Sequence, residues 1–309
     1  MKKYLRLARF DHWIKNLFVF PGTALAIGYQ ISKGSLEIQS ELNLHSLIIG
    51  FLGLCLVSSA NYTINEWLDR HEDKLHPYKD HRSAVGGNLK PLAVWVQYGL
   101  LSVVGLGLGL GSGIWIFTFC LILWLMGIIY NVKPLRTKNI AYLDVISESV
   151  NNPIRMAVGW HFINSGHAVP ASAFVAFWGG GIFLMGLKRY SEMSIVKDQA
   201  LLQLFRKSFS TWTVEKLLTF SITGGLISST FLGILLAGYR IEYILCLPII
   251  ILLFNQYLSL TLNQNRMARE PEKLWKVRKL HLLVWSLVLF FGVFSFVNVP
   301  LLEELIGFK

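Results

Sequence analysis

Long apolar stretches broken by short polar and charged segments run through the whole chain. A helix that crosses a bilayer needs about 20 mainly apolar residues. Nine stretches approach that length: 17–32, 45–65, 92–110, 113–131, 140–163, 169–188, 216–238, 241–262 and 280–300. The pattern predicts an all-α integral membrane protein, a single polytopic membrane domain over residues 1–309 with nine transmembrane helices. The first stretch is short and interrupted by Pro21 and Gly22, so its helix is expected to start near Trp13. The fifth carries Asp144, Glu148, Asn151, Asn152 and Arg155 at membrane depth. Such groups are expensive in hydrocarbon and should face a bundle interior or a wet cavity.

Cytoplasmic loops carry an excess of Lys and Arg, and this sets the orientation. With the N-terminus inside, Lys2, Lys3, Arg6, Arg9 and Lys15 are cytoplasmic, then Arg70, Lys74, Lys79, Arg82 and Lys90. Lys133, Arg136 and Lys138 follow on the same side, as do Lys188, Arg189, Lys197, Arg206, Lys207 and Lys216. The last inner loop adds Arg266, Arg269, Lys273, Lys276, Arg278 and Lys279. Lys33, Arg240 and Lys309 fall on the other side, and Arg155 lies within a span. A miscounted helix would scatter this asymmetry. The expected location is therefore the inner (plasma) membrane, with a cytoplasmic N-terminus and the C-terminus opposite. The residues capable of chemistry sit in the inner loops, which argues against an extracellular receptor and for a central cavity opening to the cytoplasmic side.

Composition agrees: 53% of the 309 residues are hydrophobic, 15% are charged and mean hydropathy is +0.50, against about 25% charged in soluble domains. In a soluble protein the net charge of +11 would suggest nucleic acid. Here topology accounts for the basic residues, and no nucleic-acid partner is expected. Cys55, Cys120 and Cys246 all lie in apolar runs and read as small hydrophobes, with neither a disulfide framework nor zinc spacing. The N-terminus is basic and then apolar, as in a signal peptide, but its long charged region and Asp11 favour a retained amphipathic lead-in to the first span. Gly105, Gly107, Gly109, Gly111 and Gly179, Gly180, Gly181 read as sites of close helix contact.

The densest charged segment is NEWLDRHEDKLHPYKDHR, from Asn65 to Arg82. On one continuous helix Glu66, Asp69 and Asp73 fall at i, i+3 and i+7 along one face, and Asn65, Asp69 and Asp73 at successive i+4 steps. Hard oxygen ligands of this kind suit Mg2+, which takes one or two carboxylates together with substrate phosphates. The sign then turns basic through His76, Pro77, Lys79 and Arg82. Lys meets phosphate as a point charge and Arg as a bidentate fork. Tyr130, Lys133 and Arg136 follow the fourth span and Lys188, Arg189 and Glu192 the sixth. With Arg155 they read as a second anion subsite.

These residues resemble a known family. N-E-W-L-D-R-H-E-D followed by H-P-Y-K-D-H-R resembles the first aspartate-rich motif of the UbiA superfamily of intramembrane prenyltransferases, whose fold also has nine spans. Within it, R-F-D-H-W-I-K-N, with Arg9, Trp13, Lys15 and Asn16, is similar to the opening of the decaprenyl-phosphate phosphoribosyltransferases. So are L-D-V-I-S-E-S-V-N-N-P-I-R-M-A-V-G and K-R-Y-S-E-M. Glu66 stands where that motif has Asp, and Ser83 where Pro follows the arginine. The loop after the sixth span lacks the second aspartate-rich motif with which ordinary members hold a second magnesium, and offers Lys188, Arg189, Glu192 and, further on, Asp198.

The resemblance implies a Mg2+-dependent transferase that joins a polyprenyl phosphate to the anomeric carbon of phosphoribosyl pyrophosphate, a soluble phosphorylated donor. Asn65, Glu66, Asp69 and Asp73 are the expected metal ligands and catalytic centre, assisted by Lys79 and Arg82. Lys15, Tyr130, Lys133, Arg136, Arg155, Lys188 and Arg189 are the candidates for binding the two phosphate-bearing substrates, with no division between them readable from the sequence. Two other readings stand beside it: a prenyltransferase acting on a prenyl diphosphate and an aromatic or other acceptor, and a secondary transporter of an anionic metabolite.

Overall fold

A computed structural model describes residues 2–33, 44–76, 79, 82–196, 198–263 and 277–306. Pro77, Lys197, Arg266, Arg269, Lys273, Lys276 and Lys309 lie outside the described residues. The long helices in chain order are α1 (Val19–Ser32), α2 (Leu44–Leu68), α3 (Pro91–Ser112), α4 (Ile114–Asn131), α5 (Leu143–Ser149), α6 (Asn151–His161), α7 (Ala171–Ile195), α8 (Val214–Tyr239), α9 (Leu247–Leu262) and α10 (Arg278–Phe294). Among the described residues, six segments are long and apolar enough to cross a membrane: Leu44–Leu68, Pro91–Ser112, Ile114–Asn131, Ala171–Ile195, Val214–Tyr239 and Ile241–Leu262.

The other three expected spans take different forms. The first is a 3₁₀ stretch, Phe10–Phe18, leading into the 14-residue α1. The ninth is the 17-residue α10. The fifth is not one helix: it divides at Val150 into α5 and α6. Pro153 explains the division, because its ring has no N–H and crowds the carbonyl four residues back, that of Ser149. A Cβ at Gly181 would come within 2.7 Å of that carbonyl oxygen, so α7 packs tightly against the break.

Glycine sets the closest helix crossings. A Cβ on Gly22 would overlap the Met156 carbonyl oxygen and one on Gly159 that of Val19, so α1 and α6 run backbone to backbone. The Thr23 hydroxyl donates to the Gly159 carbonyl across the same crossing at 3.2 Å. The expected close contacts hold at Gly105 and Gly109, which face α2 and α4, and at Gly179 and Gly181, whereas Gly107 and Gly111 point into open space. Val19, Leu54, Val57, Cys120, Leu123 and Val158 form one core between α1, α2, α4 and α6. Leu25, Met156, Trp160, Ala173 and Leu235 form another that reaches α7 and α8. Outward faces remain apolar, as at Leu100, Val103, Leu226, Trp285 and Leu289, which suits contact with lipid.

The polar segments converge at one end. The short helix Arg70–Lys74 follows α2, Ser83–Gly86 packs on the N-terminal helix Lys2–Leu7, and Gln199–Phe205 lies over the same end, where Phe205 meets His76 at 4.4 Å between ring centres. Met193, Leu202, Phe205, Phe209, Trp212 and Leu217 anchor this cover. The three cysteines are free and buried.

Candidate active site

The acidic segment bends where α2 ends and Arg70–Lys74 begins, with Asp69 at the joint. The continuous three-carboxylate face expected from helical spacing is therefore not assembled. Glu66 turns away, accepting a hydrogen bond from the Ala84 amide at 3.2 Å and lying 4.0 Å from Arg9 Nε. Asn65 stays with Asp69: its amide nitrogen donates to Asp69 Oδ2 at 3.3 Å and to Asn131 Oδ1 at 2.6 Å. Among the described residues no group of three or more His, Cys, Asp and Glu side chains is gathered for a metal ion.

Each aspartate instead holds two cations. Asp69 accepts from Arg136 Nη2 at 3.1 Å and from the Lys138 ammonium, which also donates to Asn131 Oδ1 at 3.0 Å. Asp73 pairs with Arg82, and Lys79 Nζ lies 3.6 Å from its other oxygen. Arg136 also donates to Glu72 Oε1 at 2.9 Å, a carboxylate of the segment outside the expected ligand set. Burial pushes Lys79 down to about 7 and Lys138 to about 8. A cavity of about 90 Å³ lined by Asp69, Glu72, Arg136, Lys138 and Arg206 opens beside these groups. Lys133 is exposed and, among the described residues, takes no part in the network. Lys138, buried by the turn Thr137–Asn139, occupies the place expected of it.

A second cluster surrounds Arg189, 2% exposed. Its guanidinium donates to Glu148 Oε2 at 2.7 Å, to Glu192 Oε2 at 3.2 Å and to the Tyr130 hydroxyl at 3.2 Å, and Nε lies 3.7 Å from Asp144 Oδ2. Tyr130 donates to Glu148 at 2.9 Å. Ser208 and Trp212 donate to Asp144 at 2.9 and 3.2 Å, and Arg206 lies 3.9 Å from it. Arg189, expected to bind phosphate, is thus an internal counter-ion to three carboxylates. Asp198 caps Gln199–Phe205, its carboxylate accepting from the Ala200 and Leu201 amides at 2.9 and 3.2 Å.

A third group lies deeper. Arg155 on α6 is 7% exposed. It donates through Nε to Asn16 Oδ1 at 2.9 Å and through Nη1 to the Asn151 carbonyl at 3.2 Å. Asn16 is fixed by Ser58 and by Cys55, which accepts its amide proton at 3.1 Å. Lys15 sits 5.8 Å from the Tyr62 ring centre. Lys188, adjacent to Arg189, lies within electrostatic range of Lys15 and Glu148.

The profile of the UbiA prenyltransferase family matches residues 25–287. Decaprenyl-phosphate phosphoribosyltransferase of Mycolicibacterium smegmatis is 26% identical over 213 residues, 68% of this chain and 62% of that protein, so the chain matches less than two thirds of the relative's length. A UbiA homologue from Archaeoglobus fulgidus, solved bound to GPP and Mg2+, superposes with a TM-score of 0.70 at 17% identity, covering 96% of this chain and 100% of that one. The same homologue bound to Cd2+ gives 0.68 at 19% identity, covering 95% and 98%.

Proposed function

The chain belongs to the UbiA prenyltransferase family of membrane transferases, and from that membership we infer that it transfers a 5-phosphoribosyl group from phosphoribosyl pyrophosphate to a polyprenyl phosphate. The observation that carries this choice is the inner end of α7. There Arg189 is held by Asp144, Glu148 and Glu192, and Asp198 is spent on a helix cap. One acidic centre, Asp69 and Asp73, then faces a surplus of cations. A prenyl donor ionising at its allylic carbon benefits from two metals on its diphosphate. A ribosyl diphosphate with a lipid monophosphate acceptor needs one acidic centre and cations. The similarity to the mycobacterial phosphoribosyltransferase supports the same reading.

The donor set fits Mg2+. Asp69, Asp73 and the Asn65 side-chain oxygen are hard ligands, and Asp69 and Glu72 line a small cavity. Both aspartates already hold positive charge in the form of side chains. Asn65, Asp69 and Asp73 would hold the ion, with Glu66 further away, and when bound it offsets charge growing on the departing diphosphate. Lys138, Arg136, Lys79 and Arg82, released from their aspartates, turn to the diphosphate oxygens. The C1–O bond to pyrophosphate breaks through an oxocarbenium-like state, and a lipid phosphate oxygen forms the new C1–O bond. That oxygen is already ionised, so no strong general base is required, and positioning does most of the catalysis.

In this reading nine spans form one domain in the inner membrane, the N-terminus is cytoplasmic, and the cavity opens to the cytoplasm, where a soluble donor is supplied. Prenyl transfer from a prenyl diphosphate is the second reading, favoured by the ligands of the archaeal homologue. One assay separates the two: detergent-purified protein, Mg2+, labelled phosphoribosyl pyrophosphate and a polyprenyl phosphate, followed by lipid extraction. Label in the lipid phase is expected. Its absence, with turnover of a prenyl diphosphate instead, overturns the reading.

A further inference from the structure

We propose that Glu72 reads the sugar of the donor, its carboxylate accepting a hydrogen bond from the C2 hydroxyl of the ribose while Asp69 and Asp73 serve the diphosphate. This role deepens the phosphoribosyl reading and rests on it for the identity of the donor.

The described carboxylates of the segment Asn65–Arg82 divide by their surroundings. Glu66 is buried against the Ala84 amide and Arg9. Asp73 is held by Arg82 and Lys79. Asp69 and Glu72 share the wall of one cavity of about 90 Å³. A single nitrogen joins them: Arg136 Nη2 donates to Asp69 Oδ1 at 3.1 Å and to Glu72 Oε1 at 2.9 Å, which sets two acceptor oxygens side by side. The Glu72 side chain is the more open of the two, 37% exposed against 14% for Asp69.

The donor brings two kinds of polar group, phosphates that need cations and hydroxyls that need acceptors. Cations are plentiful on the cavity wall, Arg136, Lys138 and Arg206 among them. Side-chain acceptors are scarcer: among the described residues they are Asp69, Glu72 and the Asn139 amide. An ionised carboxylate only accepts, which is why acidic side chains meet ribose hydroxyls in dinucleotide sites. The C2 hydroxyl sits on the carbon next to the one that carries the diphosphate, so its partner must lie beside the residue that serves the diphosphate. Glu72 lies beside Asp69 in this way. Once Arg136 turns to the diphosphate, Glu72 is left with an oxygen for the sugar. A prenyl diphosphate has only hydrocarbon at the corresponding carbon and would leave that oxygen without a donor. A site built to bond a substrate hydroxyl rejects an analogue lacking it for this reason. Glu72 thereby separates a ribosyl from a prenyl donor at the same acidic centre.

The test measures binding of Mg2+-phosphoribosyl pyrophosphate, its 2-deoxyribose analogue and Mg2+-pyrophosphate to full-length protein in detergent. Wild type is expected to bind the donor well above the other two. Glu72→Ala should weaken the donor by about tenfold or more, and leave the deoxy analogue and pyrophosphate within about twofold of their wild-type Kd. Glu72→Gln, which keeps an acceptor oxygen, should recover part of the loss. Equal weakening of donor and pyrophosphate would mean that Glu72 serves the metal or only holds Arg136, and overturns the role. Weakening of the deoxy analogue as much as the donor overturns it too, as does an unchanged donor Kd. The lipid-extraction assay runs beside these measurements: where ribose reaches the lipid, each of those three results removes the role of Glu72 and leaves the phosphoribosyl reading standing. A wild type that neither binds the donor above pyrophosphate nor transfers ribose overturns that reading and the role of Glu72 with it.

Discussion

The Lys138 ammonium lies against the Asp69 carboxylate although 69 residues separate them in the chain. The turn Thr137–Asn139 buries Lys138, whereas Lys133, in the same loop, is exposed. A cation placed at the acidic centre should count in the transition state and one in solvent should not. Lys138→Gln is expected to lower kcat/KM by about 10²-fold, as loss of one charge-stabilising donor does elsewhere. Lys133→Gln should stay within about twofold. Parallel steady-state kinetics of the two variants decide this, and equal losses would mean that the loop acts through its overall charge.

Asp69 has a structural duty besides a catalytic one. It is the shared counter-ion of Lys138 and Arg136, whose side chains are 5% and 12% exposed. Removing one partner of a buried pair strands the other charge, at a cost of about 3–5 kcal/mol. Asp69→Asn should therefore abolish turnover and also lower the Tm in detergent by several degrees. The double variant Asp69→Asn with Lys138→Gln should recover part of the Tm and none of the activity. A Tm unchanged in the single variant would contradict the pairing.

A ligand that binds only the folded state raises stability by about 2.7 kcal/mol at 100 times its Kd. Pyrophosphate with Mg2+ should raise the wild-type Tm, and EDTA should remove the shift. Neither Asp69→Asn nor Asp73→Asn should respond. Full stabilisation by pyrophosphate in EDTA would show that Lys79, Arg82, Arg136 and Lys138 hold the diphosphate without a metal.

Arg189 neutralises Asp144, Glu148 and Glu192 together. Arg189→Gln leaves the carboxylates of Asp144, Glu148 and Glu192 without their shared guanidinium, with Arg206 3.9 Å from Asp144 and Lys188 within electrostatic range of Glu148 and Glu192. Its Tm loss should exceed that of Asp69→Asn, and Glu148→Gln added to it should restore part of the difference. Lys cannot reproduce a guanidinium that donates to Glu148, Glu192 and Tyr130 at once, so Arg189→Lys should be only slightly better than Gln. Thermal melts across this set provide the comparison.

How much of this was legible in the sequence depended on range. Hydropathy located the six long membrane helices, but span five was expected whole, and its break before Pro153 emerged only in the structure. The segment Asn65–Arg82 announced an acidic centre. Nothing local marked the joint at Asp69, which has neither Gly nor Pro beside it, so helical spacing wrongly kept Glu66 in line with Asp69. Lys138 rather than Lys133 reached the acidic centre, and Arg189 met carboxylates instead of phosphate, because burial and pairing across loops are tertiary facts. Asp198 was legible in principle, since Asp before Gln-Ala-Leu-Leu is a helix N-cap signature.

Lys79 offers a pH test that needs no substrate. Burial pushes its ammonium down to about 7, with Arg82 nearby acting the same way and Asp73 and Glu192 opposing. The amine should therefore be mostly charged at pH 6 and mostly neutral at pH 8. Only the neutral amine reacts with an acylating reagent. In metal-free protein, Lys79 labelling should rise through pH 7 and level off by about pH 8, whereas an ordinary lysine, with a reference value near 10.4, keeps gaining about tenfold per pH unit. Mg2+ with pyrophosphate should return the charge, because a diphosphate beside the amine favours the ammonium, and the midpoint should move up by at least about one unit. Mass spectrometry of the peptide containing Lys79 reads both curves. A metal-free midpoint above 9 would mean that the amine is fully hydrated and does not belong to the acidic centre.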